Sequence, residues 1–307
     1  MKPKEETTSG PRAVARDLHP ERALLVFLLL LFGQLFLALW PTWDDGTYYD
    51  YGMLVPIVAP ILFLWRWREI DRPPDQIAAA LKALGRAPST WILLVAGFLL
   101  VTFLRLIESV DSGWRAPLYL HWFTVWLVAA WLLSRLIGFS HLGRFLPVVV
   151  VTLLAVPLPS AVESSLIHGL TEGVAELSVT ANLYMGFPVV RSGETLFAAG
   201  LPLQVSEGCS GIRSFQSSIF AGFLIGEFLR LGWIARIFLV ASGVAIAFLA
   251  NSGRVIFLVR HAFLDGQASL DKLHDVSGYV SLGATLVTIV LLGLLLERFA
   301  PPSRPND

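Results

Sequence analysis

One cysteine, Cys209, stands in the segment Ser206–Glu207–Gly208–Cys209–Ser210–Gly211–Ile212–Arg213. Flanked by Gly208 and Gly211, it can occupy a tight turn that a substrate backbone approaches closely. The residues after it read as the start of a helix. There the free N–H groups and the macrodipole lower a thiol's pKa and can hold an oxyanion. A thiolate is also a better nucleophile near neutral pH than the hydroxyls of Ser206 or Ser210 beside it. The same residue is compatible with an inert thiol buried in an apolar helix, the common fate of a lone cysteine.

Two further polar groups could complete such chemistry. Asn251–Ser252–Gly253–Arg254 interrupts an apolar run, where a charge is expensive unless it faces a cavity or a partner. Arg254 could offer a fixed positive charge to a substrate carboxylate, a developing oxyanion or the thiolate, or it could form a structural ion pair or snorkel to headgroups. His274–Asp275–Val276–Ser277–Gly278 opens another apolar run. An imidazole there could take the thiol proton and return it to a leaving amine. Asp275 reads as a helix cap rather than a partner that orients His274. His261 is a reserve base, and His121 lies in an apolar span with no polar cluster near it in sequence. A single cysteine excludes an intramolecular disulfide, and no His-x-x-x-His pair or Gly-rich phosphate loop appears, so neither a metal nor another cofactor is expected.

The elements that position these groups are membrane helices. Of 307 residues 55% are apolar and only 15% charged, too few charges to cover a soluble core. The fold class expected is an all-α integral membrane protein with about eight transmembrane helices. The spans run over about Ala23–Trp40, Gly52–Trp65, Trp91–Ile107, Pro117–Leu133, Phe145–Val156, Ile212–Leu229, Trp233–Leu258 and Val276–Leu296. Pro56 and Pro60 kink or interrupt the second, and Ile77–Leu84 reads as a weakly amphipathic piece on the membrane surface. Between the fifth and sixth, Ala161–Tyr184 has the spacing of an interfacial or cavity-lining helix, and Gly186–Val205 that of a small hairpin. Residues 1–22 form a basic tail, 23–299 the membrane domain with its core at 52–296, and 300–307 a polar tail expected to be disordered. The run after the first tail lacks a small-residue cleavage site and reads as a retained span.

Lys and Arg set the orientation. With the N-terminus inside, Arg66–Arg86, Arg135–Arg144 and Arg230–Arg236 are inside as well, and the acidic loops Asp44–Asp50 and Glu108–Asp111 are outside. Both termini are then cytoplasmic, and Cys209, Arg254 and His274 lie at the outer edge of the bilayer. The formal net charge of zero gives no reason to expect a nucleic-acid partner.

With these residues in view, the sequence resembles the exosortase/archaeosortase family of multi-span membrane cysteine transpeptidases. The resemblance rests on Cys209–Ser210–Gly211–Ile212–Arg213, then Asn251–Arg254, then His274–Gly278, in the family's order. Softer matches lie at Tyr51–Pro56 before Leu64–Trp65–Arg66, and at Val156–Pro157–Leu158–Pro159. It covers roughly Gly52–Leu296. Tyr51 departs from the His-Gly with which the upstream block usually begins. The additional domain that some exosortases carry after the last span is not expected here.

The resemblance implies that Cys209 is the nucleophile, Arg254 the electrostatic partner and His274 the general base, with Glu207, Ser210, Gly211, Arg213 and Asn251 in support. It implies cleavage, in a bacterial inner membrane, of exported proteins that end in a short motif (often Pro-Glu-Pro), one hydrophobic span and a basic tail. Two rivals are a transporter in which Arg254, Arg213 and Glu207 line a polar path, and a non-enzymatic polysaccharide-export component.

Overall fold

A computed structural model describes residues 20–45, 48–111, 113–204 and 210–299, with side chains for all of these except Pro20, Glu21, Gln204 and 267–272. Ten α-helices are present among the described residues. They are α1 (Pro20–Asp44), α2 (Val55–Arg68), α3 (Pro74–Arg86), α4 (Pro88–Val110), α5 (Ala116–Ile137), α6 (Leu146–Leu154), α7 (Ser160–Tyr184), α8 (Ile212–Phe228), α9 (Trp233–Asp265) and α10 (Gln267–Phe299). Short 3-10 turns at Asp50–Leu54 and Phe139–Phe145 lead into α2 and α6.

Proline marks many of these starts. Pro56, Pro74, Pro88, Pro117 and Pro147 sit in the first turns of α2 to α6, where the missing N–H costs no helical bond. Pro60 lies inside α2, which nevertheless runs through it without a break.

The expected eight spans are not all matched by helices of spanning length. Among the described residues, five helical stretches are long and apolar enough to cross a membrane: Arg22–Asp44, Pro88–Val110, Ala116–Ile137, Trp233–Asp265 and Leu273–Phe299. The helices α2, α6 and α8 have 14, 9 and 17 residues, short of the roughly 20 that cross a hydrocarbon core. The helix α6 packs on both α2 and α8, and α8 packs also on α9 and α10. Large apolar side chains point outward on α1 (Leu25, Leu29, Leu37), α4 (Ile92, Leu99, Phe103) and α10 (Val287, Leu291). Such apolar faces suit lipid.

The bundle has a basal end, where α1 begins, and an apical end, where it finishes. The main core joins α1, α2, α4, α5, α6 and α8 around Leu31, Leu35, Leu62, Val125, Val151 and Phe220. At the basal end the fully buried carboxylate of Glu227 on α8 pairs with Arg66 on α2 and, at 2.8 Å, with Arg236 on α9. At the apical end a second core is built by α7, the distal half of α9 and a small sheet. This sheet corrects the expected hairpin. It has three antiparallel strands, β1 (Val189–Ser192), β2 (Thr195–Ala198) and β3 (Leu201–Gln204), in the order β1-β2-β3. Val189, Leu196, Ala198 and Leu203 are buried in this second core, beside Val174 and Val255.

The last two helices are longer than the apolar runs indicate. Each has 33 residues, about 50 Å of helix, so both project well past a hydrocarbon core about 30 Å thick. Gly266, at φ +78°, makes the turn between them.

The apical end is closed by a tight contact. The Trp43 indole is fully buried and donates to the Ala155 carbonyl at 3.0 Å. A Cβ at Gly52 would lie 2.2 Å from its Nε1. Gly52→Ala is therefore expected to lower stability by about 1–3 kcal/mol through overpacking. Gly33→Ala, where no atom lies within 4 Å, should not. Thermal unfolding of the two variants in detergent checks this.

Candidate functional site

The candidate residues are carried by the starts of α8 and α10 and the middle of α9. Ser210 is almost completely buried, and its Oγ accepts the Ile212 N–H at 3.3 Å. Gly211 caps α8 in the left-handed region, φ +85°, and its carbonyl accepts the Phe215 N–H. A Cβ there would sit 2.8 Å from Asn251 Nδ2 and 2.9 Å from its Cγ. Glycine is thus required twice at this position, for its backbone angle and for the approach of Asn251. Asn251 is itself buried, as is Ser252 beside it. The Cys-Ser-Gly segment and the Asn-x-x-Arg block are therefore joined at Gly211 and Asn251.

One turn along α9 from Asn251, Arg254 reaches across to α10. Its Nη2 donates to the His274 carbonyl at 3.0 Å and lies 3.4 Å from His274 Nε2, while its Nε donates to Ser277 Oγ at 3.3 Å. Ser277 in turn donates to the His274 carbonyl at 2.9 Å. Gly278 makes room, because a Cβ there would be 3.3 Å from Arg254 Nη2 and 3.4 Å from its Cζ. The glycine of His-x-x-x-Gly is the floor on which the guanidinium rests.

Asp275 corrects the expectation of a helix cap. Because α10 begins at Gln267, Asp275 is inside the helix, and its Oδ1 is 3.0 Å from His274 Nδ1. That contact favours the Nδ1–H tautomer and leaves the Nε2 lone pair toward Arg254. Asp275 is thus placed to orient the imidazole.

Arg213, on the first turn of α8, pairs with Asp50 at 3.6 Å. Cys209 and Glu207 lie outside the described residues, as do Ser206 and Gly208. The reserve base, His261, bonds through Nδ1 to the Phe257 carbonyl of its own helix at 3.0 Å. His121 does have a polar partner: its Nδ1 is 3.0 Å from Glu108 Oε1, and both side chains are buried. The two are 13 residues apart in sequence, on α4 and α5, so no local pattern exposes the pair.

A tyrosine clamp beside the site was also missed. Tyr48 and Tyr49 donate to Glu163 at 3.2 and 2.9 Å, and the Leu158 N–H donates to the Tyr49 hydroxyl at 2.8 Å. Burial, with the Glu163 charge, pushes the Tyr49 phenol above its ordinary pKa, so it remains a donor. Tyr119 donates to the Pro157 carbonyl and Tyr51 to that of Leu154. The end of α6 and the loop after it are thus held by tyrosines from two segments, 48–51 and the first turn of α5. Tyr51, where the family's block usually has histidine, acts as a brace, its ring 4.9 Å from that of Phe220. The only available signal was the density of tyrosine in the acidic Thr42–Tyr51 loop.

A family model described as transmembrane exosortase matches residues 43–291. No curated protein and no solved structure matches the chain. The matched range holds all the contacts above.

The double constraint on Gly211 can be tested. Gly211→Ala should lower the unfolding midpoint by the equivalent of about 1–3 kcal/mol. Gly253→Ala, a helical glycine on α9 with no atom within 4 Å, should leave it unchanged or raise it slightly.

Proposed function

This chain belongs to the transmembrane exosortase family, and from that premise we propose that it is a membrane cysteine peptidase or transpeptidase. Its substrates in this reading are exported proteins with a C-terminal recognition motif, a hydrophobic span and a basic tail. The observation that carries the reading is the contact between Arg254 and His274 on neighbouring helices, one turn from the Gly211–Asn251 contact that anchors the residues following Cys209.

In the proposed reaction His274 Nε2 accepts the Cys209 proton, and the sulfur attacks the scissile carbonyl. The S–C bond forms as charge develops on the carbonyl oxygen, which the Arg254 guanidinium stabilises. The C–N bond then breaks, His274 returns the proton to the leaving amine, and the hydrophobic tail departs. An amine, or water, attacks the thioester and releases Cys209. Asp275 steadies the imidazolium formed midway. No cofactor enters any step.

We place the site on the outer side of a bacterial inner membrane, with both termini inside. Arg66, Arg72, Arg135, Arg144 and Arg236 gather at the basal end, as the positive-inside rule asks of a cytoplasmic face. The apical site then meets substrates whose motif emerges from the outer leaflet. A transporter reading has less support, because Arg254 is tied to His274 and Ser277.

Co-expression with a protein carrying such a C-terminal signal tests the proposal. Cys209→Ala should abolish trimming while protein level and membrane insertion stay normal, and continued trimming would refute the nucleophile assignment. His274→Ala should slow trimming by about 10²–10⁴-fold. Arg254→Lys should not restore the rate, because an ammonium cannot meet the His274 carbonyl and Ser277 with the same planar fork.

A further inference from the structure

A second polar site lies at the basal end, away from the residues discussed above. A cavity of about 250 Å³ opens where α3 crosses the start of α4 and the end of α5. Leu84 and Ala83 of α3 and Trp131 of α5 supply apolar walls, while Ser89, Thr90 and Arg135 supply the polar ones.

Three independent features of this cavity favour an anion. The first is the N-terminus of α4, a helix of 23 residues with no side-chain cap and no acidic residue in its first turn. Its positive end is therefore met by no negative group of its own. The second is Thr90, which is fully buried and whose Oγ1 has no hydrogen-bond partner. A buried hydroxyl left unbonded carries a desolvation cost that a ligand acceptor would remove. The third is Arg135, whose guanidinium lies over the Trp131 ring, 5.6 Å from its centroid. Arg135 has no carboxylate partner among the described residues, and Arg72 already serves the end of α5 by donating to the Leu136 carbonyl.

Depth selects the kind of anion. The 23-residue α4 is about 35 Å long, close to one hydrocarbon thickness. Its first turn therefore lies at headgroup level, with the apolar walls on the membrane side. Lys82 and Arg86, also on α3, do not line the cavity. We propose that this cavity seats the phosphate of an anionic phospholipid, with Arg135 and the α4 N-terminus holding the charge, Thr90 donating one hydrogen bond, and Trp131 and Leu84 packing against the start of the acyl chains.

Native mass spectrometry of the full chain tests the assignment, with phosphatidylglycerol, phosphatidylcholine and inorganic phosphate titrated separately. The wild type should retain phosphatidylglycerol in preference to phosphatidylcholine. Arg135→Gln should weaken that retention by about five- to tenfold, and Thr90→Val should weaken it less. Lys82→Gln, which changes charge on α3 outside the cavity, should have little effect. Arg135 is exposed, so its variant tests binding in a folded protein. Equal retention by wild type and Arg135→Gln would overturn the proposal, as would an equal loss in Lys82→Gln. Retention of inorganic phosphate with no preference between the two lipids would also overturn it.

Discussion

The buried carboxylate of Glu227 holds three helices at one height. It lies on α8 with its side chain out of solvent, between Arg66 from α2 and Arg236 from α9. Removing one partner of such a pair typically costs about 3–5 kcal/mol, since a charge is then left unpaired in a low dielectric. The register of α9 against α8 is fixed here, and Gly226 helps, because a Cβ on it would meet Arg236 Cγ at 2.8 Å. From Arg236 an unbroken helix delivers Asn251 to Gly211 and then Arg254 to His274. A slip of one residue at the base would rotate Asn251 and Arg254 by about 100° and part both contacts.

The apical end uses a different device. The short helices α2 and α6 fall below spanning length, and the end of α6 and the loop after it leave carbonyls without helical partners. Trp43, Tyr51 and Tyr119 donate to the carbonyls of Ala155, Leu154 and Pro157 in turn. Each pairing satisfies a carbonyl left without a helical partner. Irregular backbone is tolerated here because aromatic donors satisfy it, and Tyr49 ties the loop to α7 by accepting from the Leu158 N–H and donating to Glu163. The sheet and α7 then cover the distal half of α9, which projects past the hydrocarbon.

Glycine sets the close approaches in the candidate site. Gly211 accepts Asn251 and Gly278 accepts the Arg254 guanidinium. Both glycines belong to the motif blocks that carry the resemblance, so those patterns encode steric room as much as chemistry. Arginine suits the second contact because its planar fork bonds a carbonyl and a hydroxyl at once.

Much of this was legible in the residues themselves. Apolar run lengths gave the membrane class, the long helices and their approximate limits, and prolines marked several starts, because both effects act locally along the chain. The motif order singles out Gly211, Asn251, Arg254, His274 and Gly278, the residues whose contacts join α8, α9 and α10. Span count was less legible: α2, α6 and α8 are apolar but only 14, 9 and 17 residues long, so apolar run length alone does not decide their crossing. The third strand, the extension of α9 and α10, and the role of Asp275 likewise depended on what each segment packs against. The Glu108–His121 pair, the tyrosine clamp and the Glu227 clamp join residues 13, 114 and 161 apart. A charge or phenol that finds its partner across such a distance leaves no periodic trace, so tertiary structure alone decided those interactions.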